Sequence, residues 1–104
     1  MNNKEKLLGF ISLCRKAGKL CVGFDATKDK ILRGQVYLLL LAEDASAKTK
    51  KEFTYFCSQD EIPVMTVPFT KAELALMLGR EIGVMGVMDD SFAQGIQKRL
   101  QEQR

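Results

Sequence analysis

The sequence predicts an α/β protein, a three-layer α-β-α sandwich around a mixed central sheet of about four strands. Three observations carry that reading. Segments of helical period alternate with short strand-like runs from one end of the chain to the other. One apolar run, "VYLLLLAE", shows no alternation, the pattern of a strand covered on both faces. The chain has 104 residues, enough for one hydrophobic core and too few for two, so a single domain over 1–104 is expected.

The elements follow in order. "NNKEKLLGFISLCRKAGKL" reads as a helix capped by Asn2 or Asn3, with Leu7, Leu8, Ile11 and Cys14 on one side. Arg15, Lys16 and Lys19 crowd its last turn, where cations suit the helix dipole, and Gly18 supplies the stop. "LCV" is a short first strand. "DATKDKILR" is the second helix, with Asp25 as its expected N-cap and Gly34 just past its end. "VYLLLLAE" is the central strand. "SAKTKKEFTYFCSQD" is a helix capped by Ser46, with Ala47, Phe53, Phe56 and Cys57 inward and Lys48, Lys50 and Lys51 outward. "IPVMTV" is a strand with Pro63 near its start, where a lost N–H matters least. "TKAELALMLG" starts on a Thr70–Glu73 capping box and ends at Gly79. "IGVMGVM" is a strand whose glycines allow close packing, or close approach by something else. "DDSFAQGIQKRLQEQR" is the last helix, capped by an Asp or Ser91, with Phe92, Ile96 and Leu100 at four-residue spacing. Met65, Met77, Met85 and Met88 fall on core positions.

Composition narrows the function classes. There is no histidine, which removes a Cys/His zinc site, the commonest general base, and every Ser-His or Cys-His nucleophile. The three cysteines, Cys14, Cys21 and Cys57, form no C-x-x-C pair; reduced, partly buried thiols are expected. No metal or cofactor is implied. There is no early apolar run of signal-peptide type and none of membrane-spanning length, so a cytoplasmic location is expected. The net charge of +3 is uneven. Residues 1–52 carry 11 Lys/Arg against 6 Asp/Glu and the remainder 5 against 7, an asymmetry that suits a polyanionic partner on one face.

Gly23, between a strand and a helix, allows the backbone to approach a ligand at a helix start whose N–H groups favour phosphate. The turn is neither G-x-G-x-x-G nor a P-loop, so it is no nucleotide fingerprint. Glu43 and Asp44 end the central strand side by side; adjacent strand side chains point opposite ways, so a capping role for Asp44 and a lysine partner for Glu43 are expected rather than a metal pair. Asp89 and Asp90 read as caps for the same reason. Lys28, Lys30 and Arg33 line the helix behind the Gly23 turn, and Lys19 precedes it. Arg80 lies on a separate loop past Gly79. Two such loops at one end of a sandwich suit a nucleic-acid backbone. Phe24 either stacks on a base or staples the helix start into the core. Cys21 is the only candidate nucleophile, and its apolar surroundings argue against a lowered thiol pKa.

These pieces resemble the signature of the ribosomal protein L-seven-Ae/L-thirty-e family. That family shows Gly-x-Asn-Glu-x-x-Lys, then Arg-Gly-Gln or similar, then an apolar strand ending in Ala-Glu-Asp. Here "GFDATKDKILRGQVYLLLLAEDAS" runs from Gly23 to Ser46, with Arg33-Gly34-Gln35 and Ala42-Glu43-Asp44 matching. The resemblance continues through "VPFTKAEL", "LGREIGVMGVM" and "DDSFAQGI" and covers nearly the whole chain. It implies an α-β-α sandwich and a non-catalytic protein that binds structured RNA, in this family most often the sharply bent kink-turn. Carried over by position, the RNA-facing residues are Gly23, Phe24, Asp25, Ala26, Asp29 and Arg33, then Arg80, Glu81 and Ile82, with Lys28 beside them. The family's Asn, Glu and Lys fall on Asp25, Ala26 and Asp29. An ionised Asp25 only accepts hydrogen bonds, and Asp29 replaces a cation that would meet phosphate. The chain therefore resembles a bacterial, YlxQ-like branch that keeps the fold and changes the kink-turn residues. Structured or ribosomal RNA, bound with altered specificity by a monomer, is the expectation. The alternative is a protein-interaction module that kept the fold and lost RNA.

Overall fold

The computed structural model describes residues 2–102. Helices α1 (Asn3–Lys16), α2 (Phe24–Leu32), α3 (Ala47–Gln59), α4 (Lys71–Leu78) and α5 (Asp90–Gln101) alternate with strands β1 (Leu20–Val22), β2 (Leu38–Leu41), β3 (Val64–Thr66) and β4 (Val84–Val87). The strands form one sheet in the order β1-β4-β2-β3. β4 runs antiparallel to both neighbours and β2 parallel to β3, so the sheet is mixed and four-stranded as the sequence predicts.

The helices make two layers. α2 and α3 pack on each other and on one face of the sheet, while α1 and α5 pair on the other. α4 joins α1, whose Arg15 donates from Nη1 to the Met77 carbonyl at 2.9 Å. β2, the "LLLL" run, is buried along its whole length between the layers. Cys21, Gly86 and Leu39 lie opposite one another in the register, and directly opposed residues share a face. That is the α2 face: a Cβ on Gly86 would stand 2.8 Å from the Cys21 Sγ and 3.2 Å from the Thr27 Cγ2. Close packing of α2, not a ligand, is what the glycine in β4 serves.

Local sequence decides most helix ends. Asn2, Ser46 and Asp89 each accept a backbone N–H from three residues on, and Thr70 with Glu73 forms the complete capping box. Gly18 and Gly34 close α1 and α2 in the left-handed conformation, with paired N–H groups returning to the last-turn carbonyls. Asp25 is not the cap of α2. The helix starts at Phe24, and Gly23 stands at the N-cap without a side-chain hydrogen bond. Gly23 donates its N–H to the Val84 carbonyl and accepts from Thr27 N, so the chain enters the helix directly from β1 with no residue to spare for a cap. Asp25 falls in the first turn, where a carboxylate suits the dipole. Ala47 is exposed rather than inward, because α3 buries only Phe53 and Cys57 fully. The three cysteines are free and buried. Among the described residues no helix is long and apolar enough to cross a membrane.

Candidate nucleic-acid interface

The end of β1, the start of α2 and the loop between α4 and β4 meet at one edge of the sandwich. Gly23 has φ +95°, a region that L side chains rarely adopt, so glycine is required by conformation there. An added Cβ would also press on the end of the exposed Arg80 side chain. A Cβ at this position would lie 3.3 Å from Nη2 of Arg80. The guanidinium therefore rests directly over the glycine turn. The loop that carries it is pinned on both sides: Gly79 turns left-handed at the end of α4, Ile82 is 2% exposed, and Gly83 O accepts from Ala42 N. Arg80 and Glu81 project between those anchors and are exposed. Ile82 offers no side chain to a ligand; it holds the loop in place.

Asp25 and Ala26 are exposed on the first turn of α2, beside Gly23. Phe24 is half-buried, its ring edge-on to the buried Phe53 at 5.0 Å between centroids, so it staples the helix start into the core. Lys28, one turn beyond Phe24, turns its ammonium over the ring of Phe56 on α3 at 5.1 Å. Asp29 and Arg33 pair across the next turn, Nε to Oδ2 at 2.9 Å, both exposed.

The cations near Gly23 in sequence are not all near it in space. Arg33 stands at the C-terminal end of α2, roughly 15 Å along the helix axis at 1.5 Å per residue. Lys19 and Lys30 share a small polar pocket with Gly34, Gln35 and Tyr37, at the end of α2 away from Gly23. Helical rise separates what the sequence lists together. Conversely, Arg80 is distant in sequence and sits on the turn.

Asp44 and Asp89 are caps, whereas Glu43 is exposed and, among the described residues, has no lysine partner of the kind the sequence suggests. Asp44 Oδ1 accepts the N–H of Lys71 at 2.8 Å, so the end of β2 caps the start of α4 rather than of the helix that follows it. Among the described residues no group of three or more His, Cys, Asp or Glu side chains is placed to hold a metal. Burial raises the Cys21 thiol pKa above its ordinary value, and its Sγ donates to the Gly86 carbonyl. It is a packed thiol, not an activated nucleophile. Lys48 and Lys51, outward-facing as the period of α3 predicts, share a groove with Tyr55 and Lys28. Their spacing of three and four residues was the available signal.

The family model of the ribosomal protein L7Ae/L30e/S12e/Gadd45 family matches residues 5–94. The chain belongs to that family. It is 34% identical over 92 residues to the RNA-binding protein YlxQ of Enterococcus faecium, covering 88% of each chain. A solved structure of a protein with unknown function from Bacillus halodurans superposes with a TM-score of 0.85 at 30% identity, covering 92% of this chain and 97% of the other. The Giardia lamblia 15.5kD RNA binding protein matches with a TM-score of 0.73 over 98% of this chain and 88% of its own, at 12% identity, a likeness of fold. The α-β-α sandwich is thus shared with both solved structures.

Proposed function

We propose that this chain is a non-catalytic RNA-binding protein that grips structured RNA, ribosomal or other, with the Gly23 turn, the first turn of α2 and Arg80. The observation that carries the reading is the unpaired Arg80 guanidinium lying over a glycine turn that opens a helix. Among the described residues Arg80 has no hydrogen-bonding or ion-pair partner, and the N–H groups of the first helical turn lie beside it. A cation and free N–H groups at one edge suit a phosphate backbone, and the exposed Asp25 suits base or ribose donors. The relative at 34% identity is named for RNA binding, so a module that lost RNA is not favoured. Asp25, Ala26 and Asp29 replace the residues associated with kink-turns, so the reading is of RNA bound with altered specificity, by a monomer in the cytoplasm.

The test is ultraviolet crosslinking of the tagged protein in its own cells, with sequencing of the bound RNA. Wild type should enrich defined RNA segments, and Arg80→Glu should lower recovery about tenfold, the loss of one charge-assisted phosphate contact. Equal recovery from the Arg80→Glu protein would remove Arg80 from the site.

A further inference from the structure

We propose that the furrow between α2 and α3 is a second subsite, for single-stranded RNA flanking the structured element, with Tyr55 as its base-stacking platform. It rests on the RNA reading above and extends it beyond Lys28 to a surface of α3 that neither the family resemblance nor the Gly23 turn assigns.

The furrow has a volume of about 490 Å³ and is lined by Lys28, Lys48, Lys51, Glu52, Tyr55 and Phe56. Three ammonium groups face one carboxylate, so a polyanion is the complementary ligand. Tyr55 is 63% exposed, an aromatic ring that contributes little to the core. It is nevertheless held in place: its ring meets Phe56 at 6.1 Å, Phe56 meets Phe53 at 5.5 Å, and Phe53 meets Phe24 at 5.0 Å, each edge to face. This row of rings runs from the residue after Gly23 to the surface of α3. Lys28 marks the same line, its ammonium over Phe56. The furrow is thus braced against the start of α2 through the buried Phe53, and Lys28, one turn beyond Phe24, lines it.

An exposed ring among lysines is the chemistry of single-strand recognition, where bases stack and cations track the backbone. A duplex hides its base faces and would leave Tyr55 unused. An acidic peptide would satisfy the lysines and equally leave the ring bare. Between Lys48 and Tyr55 α3 advances about 10 Å, so the subsite takes a short flank, not a long strand.

Tyr55 can report its own occupancy. The chain has no tryptophan and two tyrosines, so in a Tyr37→Phe background Tyr55 is the only tyrosine emitter. A short oligouridylate should quench that emission, and polyglutamate of equal charge should not. Tyr55→Ser, and separately Lys48→Glu with Lys51→Glu, should weaken oligouridylate binding about tenfold, while Tyr55→Phe retains it. A blunt RNA hairpin should bind more tightly when given a single-stranded tail, and Tyr55→Ser should abolish that gain. Absence of quenching, quenching by polyglutamate to the same degree, or an unchanged Tyr55→Ser affinity would each overturn the subsite. The RNA reading fails separately: Arg80→Glu would then leave blunt-hairpin binding unaltered, whatever oligouridylate does.

Discussion

Asp29 and Arg33 hold each other across one turn of α2 at 2.9 Å, and under the proposed RNA reading this pair bears on what the helix surface offers a ligand. Both are exposed, so the pair adds little to stability. Its consequence is for binding. The carboxylate stands where the family places a lysine, and it occupies the arginine that would otherwise face solvent as a free cation. Three positions before Asp29, Ala26 offers no polar group, and Asp25 can accept hydrogen bonds but not donate them when ionised. Restoring the family residues with Asp25→Asn, Ala26→Glu and Asp29→Lys together should raise affinity for a kink-turn RNA about tenfold or more, through a regained donor and a regained phosphate contact. The Tm should move by no more than a few degrees, since all three side chains are exposed. Calorimetric titration of wild type and triple variant with one kink-turn RNA decides it. An unchanged affinity would mean that the turn geometry, rather than these side chains, excludes the kink.

At the scale of elements, α2 is positioned by two glycines, one at its start and one beneath it. Gly23 admits the helix directly from β1, and Gly86 lets Thr27 approach β4. Gly86→Ala would drive a methyl to 2.8 Å from Cys21 Sγ and 3.2 Å from Thr27 and Val36. Overpacking of that kind should cost about 1–3 kcal/mol in chemical denaturation. Gly9 is the control: it is exposed on α1 with no atom within 4 Å of an added Cβ, so Gly9→Ala should stabilise by about 0.5–1 kcal/mol. A Gly86→Ala protein as stable as wild type would mean that Cys21, Thr27 and Val36 yield to the added methyl without cost. The same elements show what sequence can convey. Caps at Asn2, Ser46, Thr70 and Asp89 were legible because a cap is a contact three residues long. The start of α2 was not, because the Gly23 conformation is set by Val84, on a strand sixty residues away. Lys19, Lys30 and Arg33 are close to Gly23 in sequence, but the helical rise places them at the other end of α2. Arg80 was legible as a loop cation; its place over Gly23 depends on the pairing of β1 with β4.

For the whole molecule, the charge asymmetry along the chain does not become one basic face. Lys4, Lys6, Arg15 and Lys16 ride on α1, in the layer opposite Lys28, Lys48 and Lys51. What both layers and the sheet share is a buried thiol: Cys14 in α1, Cys21 in β1 and Cys57 in α3. Burial pushes the Cys14 thiol up to about 11, with the negative charge of Asp89 adding to it, and Cys57 likewise to about 11, with Asp60 adding. Burial also raises Cys21. The folded protein therefore keeps its thiols protonated through a range in which the unfolded chain, with ordinary values near 9.0, has lost those protons. The stabilisation is present in full below about pH 9 and is lost as pH rises towards 11, because above 9 the unfolded state binds fewer protons than the folded one. Tm should accordingly fall as pH is raised from about 9 to about 11. The native thiols should resist iodoacetamide at pH 8 and react once denaturant is added. Cys14→Ala with Cys57→Ala will lower Tm at every pH through the cavities left behind, but the slope between pH 9 and 11 should flatten relative to wild type. A slope as steep as wild type in that double variant would assign the alkaline loss to other groups and leave the thiols as packing alone.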